Sequence, residues 1–452
     1  MDFEILSRLQ FAFTIAFHYI YPPLSIGIGI ILVIMEGRYL KTKDKFYENM
    51  TKFWVKVFAL TFAIGVATGI VMEFEFGTNW ATYSRFVGDV FGSALAAEGI
   101  FAFFLESGFL AVLVFGWDKV GPKMHFFSTL MVSLGSMFSA VWIVIANSWQ
   151  QTPAGYHIVG EGANARAEIT DFWELVFNPS SVDRISHVIS GAWLAGAFLI
   201  ISISAYYIIK NRHIRFAKSS IKIALVVALI ASLFQLFTGH SSAVGVSKYQ
   251  PAKLAAMEAV FDDQTNAQLY LFGWVNEDKQ EVSFSIAIPG MLSYLIGFDI
   301  DTKVTGLNSF KEEDRPPVNI VFQAYHLMIA IGMALILLSL LGVYLWARGT
   351  LFKQKWLMWI FVFSVLLPQI ANQVGWITAE VGRQPWIVYG LLRTSEGLSK
   401  SVEIGQVWFS LILFTLIYIG LFILFIYLLN EKIQHGPEDV DSIPSEIGHP
   451  KS

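Results

Sequence analysis

The chain has 452 residues, of which 55% are hydrophobic and 15% charged, and its mean hydropathy is +0.56. Soluble domains carry about a quarter charged residues, so this composition is typical of an integral membrane protein, and a net charge of −4 gives no indication of a nucleic-acid partner. Cysteine is absent, which excludes disulfides, cysteine-ligated iron–sulfur clusters, a thiolate-ligated haem and C-x-x-C-H haem attachment.

Apolar runs long enough to span a membrane recur along the whole chain, since a helix needs about 20 mostly apolar residues to cross the hydrocarbon. The first run follows an acidic N-terminus, MDFEILSRLQFAFT, without an A-x-A cleavage pattern. We therefore expect it to be a spanning helix and not a removed signal. About nine spanning helices are predicted, near residues 11–35, 54–76, 94–116, 125–147, 186–209, 217–239, 321–346, 356–378 and 407–429.

Lysine and arginine in the short connections predict the orientation of these helices. Five of them lie in residues 36–52, four in residues 210–218 and three in residues 347–355. The connection after the second helix holds only Arg85. Because basic connections stay in the cytoplasm, we expect the N-terminus outside and the C-terminus in the cytoplasm. The prediction is a single all-α integral membrane domain over residues 1–452, with its helices in bundles.

Two long connections lie on the predicted outer side. We expect residues 148–185 to be partly helical and to lie at the membrane interface. Residues 240–320 form the largest polar stretch, and PAKLAAMEAVFDD within it predicts an amphipathic helix that begins at a proline. The membrane domain should therefore carry a long external loop, and a charged tail begins at residue 431.

Two carboxylates interrupt the third apolar segment, AAEGIFAFFLESGFLA. Glu98 and Glu106 are eight residues apart, about 12 Å along a helix and about 80° around it, so both can face one bundle interior. Carboxylates inside a membrane are costly and are usually functional, often in proton transfer. The alternative is a pair neutralised by arginines on adjacent helices.

Single side chains that could bind a metal or haem occur in four other segments. His18 lies midway along the first and His187 opens the fifth; imidazole is the commonest metal ligand, although each could serve only as a hydrogen-bonding or interfacial group. Met328, near the start of the seventh, could be core packing, but histidine with methionine is an axial pair for haem. Glu380, at the end of the eighth, could form an ordinary ion pair with Arg383.

The predicted orientation brings these groups toward one side of the membrane. The first, third, fifth and seventh helices run inward, and the eighth runs outward. Their candidate residues then all lie in the outer half of the membrane, namely His18, Glu98, His187, Met328 and Glu380. We therefore expect one cofactor cluster there.

The nine histidines limit which cluster this can be. None is adjacent to another, whereas haem–copper oxidases need an adjacent pair for copper. No apolar helix carries the two well-spaced histidines of the dihaem cytochromes of the bc type. The class of cofactor that this histidine pattern still allows is a set of haems with mixed histidine, methionine and glutamate ligands.

Five long motifs follow one another in the order SRLQFAFTIAFHYIYPPLSIG, GVATGIVMEFEFGTNWATYSRFVGDVFG, AAEGIFAFFLES, GSMFSAVWIVIANSWQQTPAG and GWITAEVGRQPW. In order and spacing they resemble subunit I of the cytochrome bd quinol oxidases. The resemblance covers nearly the whole chain, and the motifs are much more specific than any short pattern.

The resemblance implies roles for the candidate ligands. His187 and Met328 match the ligand pair of a low-spin haem b. His18 and Glu380 match the positions at the two high-spin irons, those of a high-spin haem b and of haem d. Which iron each residue serves stays open, as does a third haem b in place of haem d.

It also implies roles for the other polar residues. Glu98 and Glu106 match carboxylates associated with the high-spin haems and with proton delivery. Lys253 and Glu258 match quinol-binding positions in the external loop; the alternative is the solvated face of an amphipathic helix. Arg383 matches an arginine near a haem propionate, and two further residues lie in matching motifs, Trp376 and Asn147.

The function that the resemblance implies is a quinol:oxygen oxidoreductase that reduces O2 to water and generates a proton motive force without pumping. Such a subunit works with a membrane subunit II, with or without a small single-helix subunit, as a multi-pass protein of a bacterial or archaeal cytoplasmic membrane. The quinol could be ubiquinol or menaquinol. An external loop of about 80 residues resembles the short-loop branch of the family.

One departure and two rival functions are noted. His326 stands where relatives have an arginine, so the resemblance assigns it no role. A haem b quinol dehydrogenase that passes electrons to a partner would leave His18 and Glu380 without a function. A proton-coupled secondary transporter would show inverted repeats and broken helices, and the sequence contains no convincing repeat.

Overall fold

Helices make up most of the structure. The computed structural model describes residues 2–438, apart from the side chains of Glu73, Phe76 and Ala163. Within these residues, nine helical stretches are long and apolar enough to cross a membrane, which confirms the predicted number. The part of the charged tail after residue 438 lies outside the described residues. The helices are α1 Phe3–His18, α2 Tyr21–Thr42, α3 Lys45–Thr78, α4 Ala81–Phe86, α5 Gly88–Glu98, α6 Phe104–Phe115, α7 Pro122–Gln151, α8 Phe172–Val176, α9 Ser181–Ile209, α10 Ile214–Tyr249, α11 Pro251–Met257, α12 Met291–Gly297, α13 Val318–Ala347, α14 Lys355–Phe363, α15 Leu366–Val381 and α16 Ile404–His435.

Three of the nine stretches are interrupted, which hydropathy alone did not predict. The first breaks after His18, and α2 begins at Tyr21 with Pro22 in its first turn, a position where the missing N–H of proline is tolerated. The third contains a π-helical turn, Gly99–Phe103, between α5 and α6. The eighth breaks between α14 and α15, near Pro368. His18 therefore lies at the end of a helix, not midway along one.

The helix α9 lies at the centre of the bundle. It contacts α2, α7, α10, α14 and α15, and most of its side chains from Ser190 onward are buried. The closest crossing is with α2, where a Cβ added at Gly27 would lie 2.6 Å from the backbone nitrogen of Gly196. Close backbone approach at glycine is typical of helix association in membranes, and it fixes how α2 and α9 cross.

The longer connections between spanning helices lie together on one side of the molecule, which we call the loop side. The Gln250 side chain donates to the carbonyl of Gln151 (3.0 Å), and the Tyr389 N–H donates to the carbonyl of Gln150 (2.9 Å). These bonds join the end of α7 to the segment between α10 and α13 and to the segment between α15 and α16. This is the side that the distribution of basic residues predicts to be external.

Three antiparallel hairpins on the loop side were not predicted. They pair β1 Tyr156–Val159 with β2 Arg166–Ile169, β3 Leu269–Asn276 with β4 Glu281–Ile288, and β5 Trp386–Val388 with β6 Leu392–Arg393. The all-α prediction therefore holds for the spanning part of the chain. The connection at 148–185, expected to be partly helical, contains β1, β2 and the short helix α8.

The helix predicted from PAKLAAMEAVFDD begins at Pro251 as expected but ends at Met257. Its residues 252–257 are buried, with Lys253 only 4% exposed, and Glu258 just after the helix is 1% exposed. A solvated amphipathic helix would expose one face. The alternative that Lys253 and Glu258 lie on such a face is therefore wrong.

Candidate functional site

Glu380, near the end of α15 on the loop side, accepts hydrogen bonds from two side chains of α7 and from Arg383, just after α15. Its Oε2 accepts from Nη2 of Arg383 (2.5 Å), and its Oε1 accepts from Nδ2 of Asn147 (3.1 Å) and Nε2 of Gln151 (3.2 Å). The expected ion pair with Arg383 is present, but α7 supplies two further donors. Such bonds offset the cost of holding a carboxylate away from water.

Arg184, in the first turn of α9, is a second cation at this site that the sequence did not single out. Its Nη2 donates to Oδ1 of Asn147, and its guanidinium carbon lies 5.8 Å from the centroid of a Trp376 ring. It stands three residues before His187. A charged side chain so close to an intramembrane histidine was the signal that could have identified it.

Lys253 reaches the same network from α11. Its Nζ donates to Oε1 of Gln250 (2.5 Å) and to Oε1 of Gln151, whose Nε2 donates to Glu380. Burial, together with two nearby arginines, lowers the pKa of Lys253 well below its usual value. The lysine is therefore part of the buried site and not a surface charge.

Cations outnumber carboxylates in this network of described residues. Three cationic side chains, Arg184, Lys253 and Arg383, interact electrostatically with the single carboxylate of Glu380. Nη1 of Arg383 is buried and has no hydrogen-bond partner among the described residues. Guanidinium groups bind carboxylates through paired N–H donors. The network therefore fits a bound group that carries carboxylates of its own, as haem propionates do.

Glu258 follows the other end of α11. It is hydrogen-bonded to Tyr325 of α13, and its Oε2 is buried without a partner among the described residues. Burial raises the pKa of Glu258 to about 8, so the carboxyl group is protonated at neutral pH. Lys253 on α11 and Glu258 directly after it thus bind different spanning helices, α7 and α13.

The two candidate histidine ligands are held in the same way. Nδ1 of His18 lies 2.9 Å from Oγ1 of Thr68 on α3, and Nδ1 of His187 lies 2.9 Å from Oγ1 of Thr238 on α10. Each threonine hydroxyl donates its proton to a carbonyl of its own helix, at 2.9 Å for Thr68 and 3.2 Å for Thr238. Each threonine oxygen therefore accepts from the histidine. Both rings then carry the proton on Nδ1 and a lone pair on Nε2, the form that binds iron.

A glycine of a neighbouring helix lies against each of three candidate ligands. A Cβ added at Gly69 would lie 3.2 Å from Cε1 of His18, and one added at Gly239 would lie 3.5 Å from Cε1 of His187. At Gly375 the distance to Sδ of Met328 would be 3.0 Å. A Cβ at Gly375 or Gly69 would press on Met328 or His18, whereas one at Gly239 would only reach van der Waals contact with His187.

One segment of α15 contacts the surroundings of all four candidate ligands. Gly375 lies against Met328, and Trp376 contacts Tyr19, the neighbour of His18, with ring centroids 5.5 Å apart. Trp376 also lies under Arg184, one turn before His187, and Glu380 follows one turn later. The structure thus groups His18, His187, Met328 and Glu380 around residues 375–380, together with Asn147 and Arg383.

Glu98 and Glu106 bind a different part of α7. Oε1 of Glu98 accepts from Ser139 (2.5 Å), and Oε1 of Glu106 accepts from Ser136. The π-helical turn between α5 and α6 separates the two carboxylates, and such turns are frequent at functional sites. Ser139 lies eight residues before Asn147, about 12 Å along α7, so these carboxylates are a separate group from the Glu380 network.

Polar residues recur along one face of α7, from the Glu380 network past Glu98 and Glu106 to the opposite end of the helix. At the end opposite the loop side, Nδ1 of His125 lies 2.6 Å from Oε1 of Glu36, and Thr129 donates to the same carboxylate. From His125 to Gln151 this face covers about 39 Å, more than the hydrocarbon thickness of about 30 Å. We call it the α7 polar column; its members are His125, Thr129, Ser136, Ser139, Asn147 and Gln151.

The donor set defines the class of protein. Within residues 2–438, no three histidine, aspartate or glutamate side chains come together as a bare metal ion would require. The candidate ligands are instead single side chains on separate spanning helices, beside excess cations. Mixed ligation by histidine and methionine suits haem iron, so the fold and site are those of a haem-binding membrane redox protein.

Comparisons with known proteins give the family. Residues 6–437 match the family model for cytochrome bd terminal oxidase subunit I. Cytochrome bd ubiquinol oxidase subunit 1 of Bacillus subtilis is 38% identical over 444 residues, which cover 96% of this chain and 94% of the relative. Cytochrome bd-II ubiquinol oxidase subunit 1 of Escherichia coli is 33% identical, with 97% of both chains covered. The structure of the bd oxidase from Geobacillus thermodenitrificans matches with a TM-score of 0.89 and 30% identity, covering 96% of this chain and 99% of that one.

The chain therefore belongs to the family of cytochrome bd terminal oxidase subunit I, oxidoreductases that act on quinol and O2. This membership explains why the candidate residues resemble haem ligands.

The buried Glu258 gives a testable pH dependence. Because its pKa is raised to about 8, infrared spectra of the purified protein should contain a carboxylic C=O band that is present at neutral pH. The band should disappear with a midpoint near pH 8 as the pH rises, and it should be missing from E258Q. A band that E258Q retains, or a midpoint in the range of exposed carboxyl groups, would contradict the burial of this side chain.

Proposed function

We propose that this chain is the haem-bearing catalytic subunit of a quinol:oxygen oxidoreductase that forms water and generates a proton motive force without pumping. The observation that carries the proposal is the segment of α15 at residues 375–380. It contacts Met328 directly, Tyr19 next to His18, and Arg184 one turn before His187, and it includes Glu380. A pure transporter would have no need for histidine, methionine and glutamate ligands around one segment.

The ligands divide between three haems in this proposal. His187 and Met328 hold a low-spin haem b. His18 and Glu380 serve the irons of a high-spin haem b and of haem d, or of a third haem b in its place. When bound, the haems supply electron transfer and the iron at which O2 is reduced.

The other residues of the network bind and orient these groups. Arg184 and Arg383, whose Nη1 has no partner among residues 2–438, attract the propionates, and the Trp376 ring fills the space between Tyr19 and Arg184. Asn147 bridges Arg184 and Glu380, so it keeps the cation and the carboxylate at a fixed separation.

Quinol binds, in this proposal, beside Lys253 of α11 and Glu258, which directly follows that helix. The raised pKa of Glu258, about 8, is matched to proton exchange near neutral pH, and burial lowers the pKa of Lys253, which makes its proton easier to release. Both lie on the loop side, so protons from quinol leave there. The relatives carry names with ubiquinol and with menaquinol, and this chain could use either.

Protons for water formation come from the opposite side along the α7 polar column. Glu106 and Glu98 each bind a serine of that column, and a carboxylate can accept a proton and pass it on. Because quinol releases protons on one side and the reaction takes them up from the other, charge is separated without a pump.

The chain works in this proposal with a second membrane subunit, and with or without a small single-helix subunit, in the cytoplasmic membrane of a bacterium or archaeon. The apolar outer faces of α13 and α16 contact lipid or these subunits.

A reduced-minus-oxidised visible spectrum of the purified complex, repeated with carbon monoxide, tests the proposal. We expect low-spin haem b bands and a carbon-monoxide-sensitive high-spin band. M328L should lose the low-spin bands and keep the response to carbon monoxide, whereas M333L, on a half-exposed part of the same helix, should be unchanged. Colour without a response to carbon monoxide would favour the dehydrogenase, and a colourless protein would favour the transporter.

The threonine bond tests the assignment of His187. Thr238→Val keeps the shape but removes the acceptor at Nδ1, which makes the imidazole a weaker donor to ferric iron. We expect the reduction equilibrium of the low-spin haem to shift about tenfold toward the reduced form, about 59 mV for one electron. T238S should restore it, and T415V, which loses only a bond within α16, should have no effect. An unchanged potential in T238V would exclude the role.

Glu106 and its serine test the proton route. We expect E106Q to slow O2-linked proton uptake by about 10²-fold, the typical contribution of a positioned acid–base group. S136A should slow it by a few-fold, since one hydrogen bond contributes about 1 kcal/mol. Ser204→Ala, at a buried serine of α9, is the matched control. Haem spectra would show that each variant is assembled, and normal uptake in E106Q would exclude the route.

A further inference from the structure

The β3–β4 hairpin carries an apolar surface that the proposed function does not use. Its strands belong to the long connection between α10 and α13. Phe272 lies opposite Ile286 in the hairpin, where the strand register shifts on both sides of Phe272, and β4 exposes Phe284, Ile286 and Ile288. Soluble surfaces rarely expose a contiguous apolar patch of this kind without a binding role. The exposed fractions are 52% for Leu271, 53% for Phe272, 60% for Trp274, 91% for Phe284, 53% for Ile286 and 42% for Ile288.

The hairpin runs along the first turns of α13. The Asn319 N–H donates to Glu277 (2.9 Å), and the Gln323 side chain donates to the carbonyl of Gly273 (2.7 Å). Nε2 of His326 lies 2.9 Å from the carbonyl oxygen of Tyr270. The three contacts on α13 advance from residue 319 to residue 326, about 10 Å along the helix. Their partners on the hairpin run in the opposite direction, from Glu277 at the turn to Tyr270 in β3. The Gln323 side chain of α13 thus satisfies the carbonyl of Gly273 on β3, as an apolar environment requires, and the His326 ring packs beside the carbonyl of Tyr270.

The level of this contact in the membrane follows from the length of α13. No charged residue lies between Asp314-Arg315 and Arg348. From Trp346 near the far end of the helix back to His326 is 20 residues, or about 30 Å, the thickness of the hydrocarbon. The end of the hairpin at Tyr270 therefore lies at the boundary between hydrocarbon and headgroups.

The hairpin is charged at its turn, away from the membrane, and apolar on its strands, closer to the membrane. Its turn, beside Asn319, has the sequence EDKQE at residues 277–281 and is exposed. The aromatic and aliphatic side chains lie on the strands, closer to the level of Tyr270. Tryptophan and other aromatic residues prefer the membrane interface. The charged turn thus lies toward water and the apolar strands toward lipid.

From this placement we propose that the β3–β4 hairpin is a membrane-surface element. Its exposed apolar face lies among the lipid headgroups and upper acyl chains of the leaflet on the loop side, continuous with the lipid-facing surface of α13. The lipid of that leaflet, and not a partner protein, covers Phe272, Trp274, Phe284 and Ile286. This proposal does not depend on the proposed haem or quinol sites.

The lack of cysteine in the chain makes the test direct. F284C and, as the matched control in the turn, D278C would be labelled with a small fluorophore in the complete complex in lipid nanodiscs. The labelling background comes from the unsubstituted complex. Two quenchers are compared, a phospholipid with a nitroxide near the headgroup end of its acyl chain, and aqueous iodide.

The F284C label should lose most of its fluorescence to the nitroxide lipid and little to iodide, and D278C should show the reverse. Equal iodide quenching of both labels would place the hairpin in water and overturn the proposal. Protection of F284C from both quenchers would mean that protein covers the face, which also overturns it. I286C repeats the measurement at a second position if F284C does not assemble.

Discussion

The hydrogen bonds that Glu380 accepts hold together the parts of the molecule on which the site depends. A carboxylate in an apolar bundle is tolerated only if donors surround it, and here the donors come from α7 and from the residue that follows α15 by two positions. The register between α7 and α15 is therefore constrained. Because Gln151 also binds Lys253, the constraint extends to α11 on the loop side. The candidate quinol residue and the candidate iron ligand are thus linked through one glutamine side chain.

The positive excess of this network has a consequence for assembly. Arg184, Lys253 and Arg383 would repel one another if Glu380 were their only counter-charge. Groups that bring carboxylates would therefore stabilise the bundle, and the chain without them should be less tightly packed on the loop side. Cofactor binding and the final packing of α9 against α15 are then expected to be coupled, as metal binding and folding are coupled elsewhere.

The number of spanning helices could be predicted from the sequence because it depends on local properties, and the candidate ligands, picked out in the same way, stay predictions. Length and hydropathy alone identify a span, and a histidine or glutamate inside one is conspicuous. The breaks at Tyr19–Ile20 and Ser364–Val365 were not predicted, because a mean hydropathy taken over a whole span does not register a break within it. The nearby prolines, Pro22, Pro23 and Pro368, were the signal for them.

The features that escaped prediction depend on a partner distant in the chain. Lys253 is buried through its contact with Gln151, 102 residues away. The β3 strand of the hairpin packs against α13. Serine and threonine are common in membrane helices, so Ser136 and Thr238 gain meaning only when the opposite side chain is known. Even the angle between Glu98 and Glu106 around the helix axis could not be predicted from a regular turn of about 100° per residue, since a π-helical turn lies between them.

The threonine–glycine pairs at 68–69 and 238–239 show how the helix backbone can select a histidine tautomer. A threonine hydroxyl has one proton, and in a helix the carbonyl one turn earlier takes it. The oxygen can then only accept, so the imidazole must place its proton on Nδ1. The adjacent glycine lets the ring approach the helix closely. The two pairs lie on different helices and hold histidines proposed for different haems, and the sequence contains no convincing repeat. Their shared geometry therefore reflects a shared chemical requirement, a neutral imidazole with a free Nε2 in an environment without water to orient it.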